Sequence, residues 1–128
     1  MILVKQYRHG GKDFFIEVPA GKVDEQEDLE SAVMWELLEE TGYTSDAAPL
    51  KLGSFYTNPA ISTNTITTYF IKECYKVSEQ KLDLTENIEL FVLPIAEFEK
   101  MIQENKINHL FTVFAYTLFK NYIHFNNQ

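Results

Sequence analysis

The stretch from Gly21 to Tyr43, GKVDEQEDLESAVMWELLEETGY, constrains the fold more than any other part of the chain. Eight of the nineteen acidic residues lie in it, against one basic residue, Lys22. The pattern predicts a helix that starts near Glu27 or Asp28, ends at Thr41 and stops at Gly42. Acidic residues in its first turn suit the helix dipole. Glu36, Glu39 and Glu40 stand at i, i+3 and i+4, so the helix gathers all three on one side. An acidic run usually marks a solvated face, but like charges this close repel. A divalent cation gives a reason to collect them, and carboxylate oxygens suit a hard ion such as Mg2+. Measured from Glu36, Val33, Leu37, Met34 and Leu38 cover an arc of roughly 60° to 200° and can face a core. The carboxylates lie between roughly 300° and 40°, with Ala32 and Leu29 beside them. One face packs and the other holds ions.

Around this helix the pattern is that of strands followed by helices. MILVKQYR (1–8) and DFFIEVP (13–19) read as two strands joined by the turn His9-Gly10-Gly11-Lys12. KLGSFY (51–56) and the long TITTYFIKECYKV (65–77) read as strands separated by the exposed loop 57–64. Residues 78–85 are polar and turn-like, and Ile88 to Leu93 is a last strand closed by Pro94. Ile95 to Glu104 and Ile107 to Ile123 read as helices. In the second, Leu110, Phe111, Phe114, Ala115, Leu118 and Phe119 form an apolar stripe suited to core packing. His109 and His124 show no metal-like spacing. This order implies an α/β protein, an α/β/α sandwich with a mixed sheet.

At 128 residues the chain reads as one domain, residues 1–128, able to bury a single core. It shows no apolar run of transmembrane length, so a membrane is not an expected partner. Its net charge of −8 argues against nucleic-acid binding through a basic surface. The lone Cys74 cannot form an internal disulfide, which suits a reducing, cytoplasmic setting. Arg8 is the only arginine. It precedes a turn upstream of the acidic helix, where an anionic substrate would need such a partner.

The 21–43 stretch resembles the signature of the Nudix hydrolases. Gly21, Glu27, Glu36, Leu37, Glu39, Glu40 and Gly42 fall in register with it, and Tyr43 occupies its last, usually aliphatic, position. Trp35 stands where the signature has arginine. Three further features are similar to the ADP-ribose pyrophosphatases of that family. Glu17-Val18-Pro19-Ala20-Gly21 matches their approach to the signature. VKQYR at Val4 to Arg8 matches a strand ending in Gln-x-Arg. Pro59 lies sixteen residues after Tyr43, their spacing. The resemblance implies a Nudix fold and hydrolysis of a nucleoside diphosphate linked to another group. It implies metal binding, by Mg2+ or Mn2+, through the Ala20 carbonyl, Glu36 and Glu40. Glu39 and Glu86 become the catalytic candidates, and Arg8, Glu17 and Pro59 the substrate-binding ones. Members of this branch carry extra N-terminal strands that help build a homodimer and the adenosine site, and this sequence starts inside that pattern.

The leading expectation is a Mg2+-dependent pyrophosphatase acting on ADP-ribose or a related ADP-sugar, giving AMP and a sugar phosphate. A second keeps the chemistry on another nucleoside diphosphate. A third is a nucleotide-sensing domain without turnover. Trp35 and Asn64, where the family tends to have Arg and Glu, favour the third. The retained Glu36, Glu39, Glu40 and Glu86 favour the enzyme.

Overall fold

The strand β1 (Ile2–Arg8) runs through the middle of a three-stranded sheet in the computed structural model, which describes residues 1–127. On one side it pairs with β2 (Asp13–Glu17), in register from Val4 opposite Glu17 to Arg8 opposite Asp13. The connection His9–Lys12 is hairpin length, and Lys12 takes a positive φ of 52° to close it. On the other side β1 pairs with the distant Ile88–Val92 strand. Helix α1 (Leu29–Thr41) lies against both β1 and that strand. Two antiparallel pairs complete the strands: β3 (Tyr43–Thr44) with β6 (Tyr75–Lys76), and between them in sequence β4 (Leu50–Tyr56) with β5 (Thr65–Phe70). Ile88–Val92 is therefore β7, followed by α2 (Ile95–Gln103) and α3 (Leu110–Asn126).

Side chains alternate across a strand, so β1 serves two layers. Leu3 packs with Phe98 of α2, Ile107 and Tyr116 of α3, joined by Ile16 and Phe91 from the flanking strands. Val4, also fully buried, points to the opposite face, toward α1. Aromatic contacts fix the β4–β5 pair on α3: Phe55 meets Phe114 at 5.0 Å between centroids, and Phe70 meets Phe119 at 4.8 Å. The result is the expected α/β class with helices on both faces of a central sheet.

Within that class three expectations change. The sheet is not mixed: every strand pair among the described residues is antiparallel, in three separate sheets. Short connections such as 9–12 and 57–64 permit only antiparallel neighbours, because a parallel return needs a long crossover. The single strand expected at 65–77 is broken, with β5 ending at Phe70 and β6 starting at Tyr75. Glu73 between them has a positive φ of 53°, which ends an extended run. The last helix begins at Leu110 rather than Ile107, because His109 is extended at the cap and Ile107 is a core residue outside it.

Helix α1 is bounded as its sequence implies. Asp28 caps it, its carboxylate accepting the Ser31 N–H at 2.8 Å. Gly42 ends it in the left-handed region, φ 75°, its N–H donating to the Leu38 carbonyl at 2.8 Å. No helix among the described residues is long and apolar enough to cross a membrane.

Candidate active site

The turn after β2 brings the backbone of Ala20 and Gly21 onto the carboxylate face of α1. The Ala20 N–H donates to Oε2 of Glu40 at 3.2 Å. A Cβ placed on Gly21 would land on the Glu36 carboxylate, so any larger residue there would make that side chain move. Glu36 and Glu40 are thus brought together by the helix and pressed against the same two-residue turn. Glu40 is buried, at 6% exposure, and Glu36 is half-buried. Glu39, the third member of the expected face, is exposed.

The electrostatics follow from this crowding. Burial, then the neighbouring Glu36 charge, push the Glu40 carboxyl up to about 7, against weaker opposing help from the Ala20 N–H and Arg8. Burial also raises Glu36, with the charges of Glu39, Glu86 and Glu27 adding to the effect. Glu86 therefore lies within the electrostatic field of both helix carboxylates. It sits on the exposed loop before β7, where its carboxylate accepts the Asp83 N–H at 2.9 Å.

The loop carrying Glu86 is tied to the end of α1. The Gln80 side-chain amide donates to the Glu40 carbonyl at 2.7 Å and to the Ile88 carbonyl at 3.0 Å. The Lys81 N–H donates to the Glu39 carbonyl at 2.8 Å. These bonds satisfy carbonyls that a helix C-terminus leaves open. Gln80 lies in a polar segment that gave no signal of a positioning role in the sequence.

Arg8 and Glu17 form one unit. Arg8 Nε and Nη2 donate to the two Glu17 oxygens at 2.8 and 2.7 Å, a bidentate pair. Both residues lie on the same face of the hairpin, since Glu17 stands opposite Val4 and Arg8 is an even number of residues along. The Glu17 side chain is only 1% exposed, whereas Arg8 is 46% exposed. Glu17 accordingly holds Arg8, and it is Arg8 that offers remaining N–H donors to solvent. The Glu17 bond and the charges of Glu17 and Glu40 raise the arginine further, against its partial burial.

Two other candidates stand apart. Pro59 is exposed in the β4–β5 loop, which bonds to itself: Ile61 and Ser62 N–H groups both reach the Asn58 carbonyl, at 3.2 and 3.0 Å. Trp35 is 60% exposed. It borders a shallow surface depression with Asp28, Ser31, Met34, Leu38 and Pro49. The indole does not pack in the core and supplies no charge to fix Glu39.

Among the described residues no three His, Cys, Asp or Glu side chains converge closely enough to cage a metal alone. The donor set still fits a hard divalent ion. Two crowded carboxylates carry charge that burial and mutual repulsion disfavour, and Mg2+ is commonly held by one or two carboxylates with water and phosphate oxygens completing its shell.

Comparison with known proteins identifies the family and relatives of the chain. The NUDIX domain family model matches residues 1–112. The chain is 32% identical over 117 residues to an ADP-ribose pyrophosphatase of Bacillus subtilis, covering 90% of this chain and 62% of that protein. It is 33% identical over 116 residues to a methanol dehydrogenase activator of Bacillus methanolicus, with the same coverage of 90% and 62%. The chain thus spans about three fifths of the length of these curated relatives. Its fold is similar to that in a crystal structure of an ADP compounds hydrolase, with a TM-score of 0.84 at 20% identity, over 98% of this chain and 66% of that one.

Proposed function

The chain belongs to the Nudix family, and on that premise we propose that it hydrolyses the pyrophosphate bond of ADP-ribose or a related ADP-sugar, giving AMP and a sugar phosphate. The observation that carries the reading is the convergence of Glu36 and Glu40 on the Ala20–Gly21 turn, with Glu86 in their field. Similarity to an ADP-ribose pyrophosphatase supports the substrate class.

Glu36, Glu40 and the Ala20 backbone would hold Mg2+, with Mn2+ as the alternative. When bound, the ion neutralises the negative charge of the pyrophosphate. The remaining work falls to the chain's own groups. Glu86, exposed on its loop, orients a water or takes its proton. Glu39 assists from the exposed edge of the helix. Arg8, clamped by Glu17, meets the substrate's phosphate or ribose with its free N–H donors. Pro59 shapes the approach from the β4–β5 loop. We assign the reaction to a reducing, cytoplasmic compartment, in keeping with one unpaired Cys74. A homodimer is the assembly the resemblance implies.

Trp35 favours a second reading, a Nudix domain that binds such a nucleotide without turning it over, because an exposed indole cannot pair with Glu39. A panel of nucleoside diphosphate derivatives, assayed with Mg2+ and Mn2+, separates the two. Release of AMP from ADP-ribose supports hydrolysis. Saturable binding without AMP release supports the sensor, and preference for a different nucleoside diphosphate redirects the substrate assignment.

A further inference from the structure

Glu17 has a third neighbour. His109 Nε2 lies 3.8 Å from the Glu17 oxygen that receives Arg8 Nη2. On its far side, His109 Nδ1 is 3.0 Å from Thr112 Oγ1, and that oxygen accepts the Val18 N–H at 3.1 Å. Thr112 is fully buried, at 0% exposure. Its hydroxyl has one proton to give and makes these two contacts only among the described residues. Val18 is a donor, so of these two partners only His109 Nδ1 can take that proton, and donating it there leaves no buried hydroxyl proton unpaired. The imidazole then carries its own proton on Nε2, facing Glu17.

A second constraint agrees. At 3.8 Å the contact is too long for a hydrogen bond, but the dipole direction still matters. An N–H facing a carboxylate is attractive, and a lone pair there is repulsive. The rings of Phe15 and Phe111 stand edge-on to the imidazole, with centroids at 6.3 and 5.6 Å, and limit its rotation. Burial and Arg8 hold His109 below its ordinary value, while Glu17 pulls the other way.

Building on the reading of Arg8 as the substrate's partner, we propose that His109 is a positioning residue for Arg8. Thr112 fixes the Nε2–H tautomer, the N–H steadies Glu17, and Glu17 holds the guanidinium. The chain of contacts runs from α3 to the end of β1 and lets a helix that otherwise packs the core set the direction of a substrate-facing arginine.

The test combines tautomer and kinetics on the full chain. Nitrogen-15 NMR of the His109 ring, assigned by its loss in His109→Gln, should show the Nε2–H form, and an Nδ1–H ring overturns the proposal. With ADP-ribose and Mg2+, His109→Leu should raise KM about three- to tenfold and leave kcat within about twofold. His109→Gln, which keeps an N–H donor, should recover most of that loss. In an Arg8→Ala background His109→Leu should have no further effect on KM. An equal effect in both backgrounds, or lowered melting with unchanged KM, makes His109 merely structural and overturns the proposal. A raised KM in Arg8→Ala with a wild-type KM in His109→Leu defeats the proposal alone. A wild-type KM in Arg8→Ala defeats the reading of Arg8 and the proposal with it.

Discussion

The Glu36 carboxylate occupies the space that a side chain on Gly21 would need. The turn and the helix are therefore matched by the absence of one carbon atom. Gly21→Ala should push Glu36 out of line with Glu40. Displacement of a catalytic group by about 1 Å can cost on the order of 10²-fold, so turnover should fall by about that much. Gly21 is exposed on a turn, and the melting temperature should change little. Steady-state rates and a thermal melt on the one variant check both halves.

The raised carboxyl of Glu40 links protonation to stability, and as the proposed ligand it would link metal binding to stability as well. Its folded-state value, about 7, lies above the ordinary carboxylate value of 4.5. The metal-free folded state therefore binds more protons than the unfolded chain between these values, and its stability falls as pH rises through that window. The shift corresponds to about 3 kcal/mol at most. Glu40→Gln should flatten this dependence and make the metal-free protein more stable than wild type at pH 8. The same variant should lose most activity and most of the stabilisation that Mg2+ gives, because an amide is a poor ligand for a hard cation. Melting curves against pH, with EDTA and with Mg2+, read out each effect.

Trp35→Arg addresses the residue that divides the enzyme from the sensor. Being 60% exposed, Trp35 contributes little to the core, and an exposed i, i+4 ion pair adds only about 0.3–0.5 kcal/mol. Melting should barely move. A guanidinium at this position can direct the Glu39 carboxylate, so kcat toward ADP-ribose should rise. Unchanged turnover in a stable, metal-binding variant counts against the orienting role and shifts weight to the sensor.

Glu86→Gln should lower kcat by about 10²-fold or more if the side chain orients or deprotonates water, with KM near wild type. Its exposed position on the loop leaves little structural cost. A change confined to KM would make it a binding residue instead. No change in either constant returns it to an ordinary solvated loop side chain.

Much of this site can be read from local chemistry. Asp28, Gly42 and the i, i+3, i+4 spacing fix where α1 starts, where it ends and which carboxylates share a face. Burial then separates them in a way periodicity cannot show: Glu40 is buried, Glu36 half-buried and Glu39 exposed, because the Ala20–Gly21 turn covers only part of the face. The expected core arc is likewise uneven, with Leu37 buried and Val33, Met34 and Leu38 half-buried. Ala32, which the wheel placed beside the carboxylates, is buried as well.

What the sequence conceals depends on contacts far apart along the chain. The partner of β1 at Ile88–Val92 carries no local sign of its direction, so the expectation of a mixed sheet had nothing to correct it. Glu73 breaks the long strand without the Gly, Pro or Asn that usually announces such a break. Glu17 looked like a substrate ligand in sequence, yet its two oxygens are committed to Arg8, a fact only the hairpin register reveals. Gln80, His109 and Thr112 act through partners that only the closed fold supplies.

The bonds from Gln80 and Lys81 to the last turn of α1 also divide the following loop into an anchored part and a free part. The anchor fixes the near end beside the carboxylates, and β7 fixes the far end at Ile88. Between them, residues 82–87 span a short bridge whose length and composition set the reach of Glu86. Loop closure costs little for a few added residues, so such a bridge tolerates replacement far better than the helix does. Exchanging it would retune where the Glu86 carboxylate stands while leaving the Glu36–Glu40 face untouched, which makes this bridge the natural place to adjust the proposed reaction without rebuilding the protein.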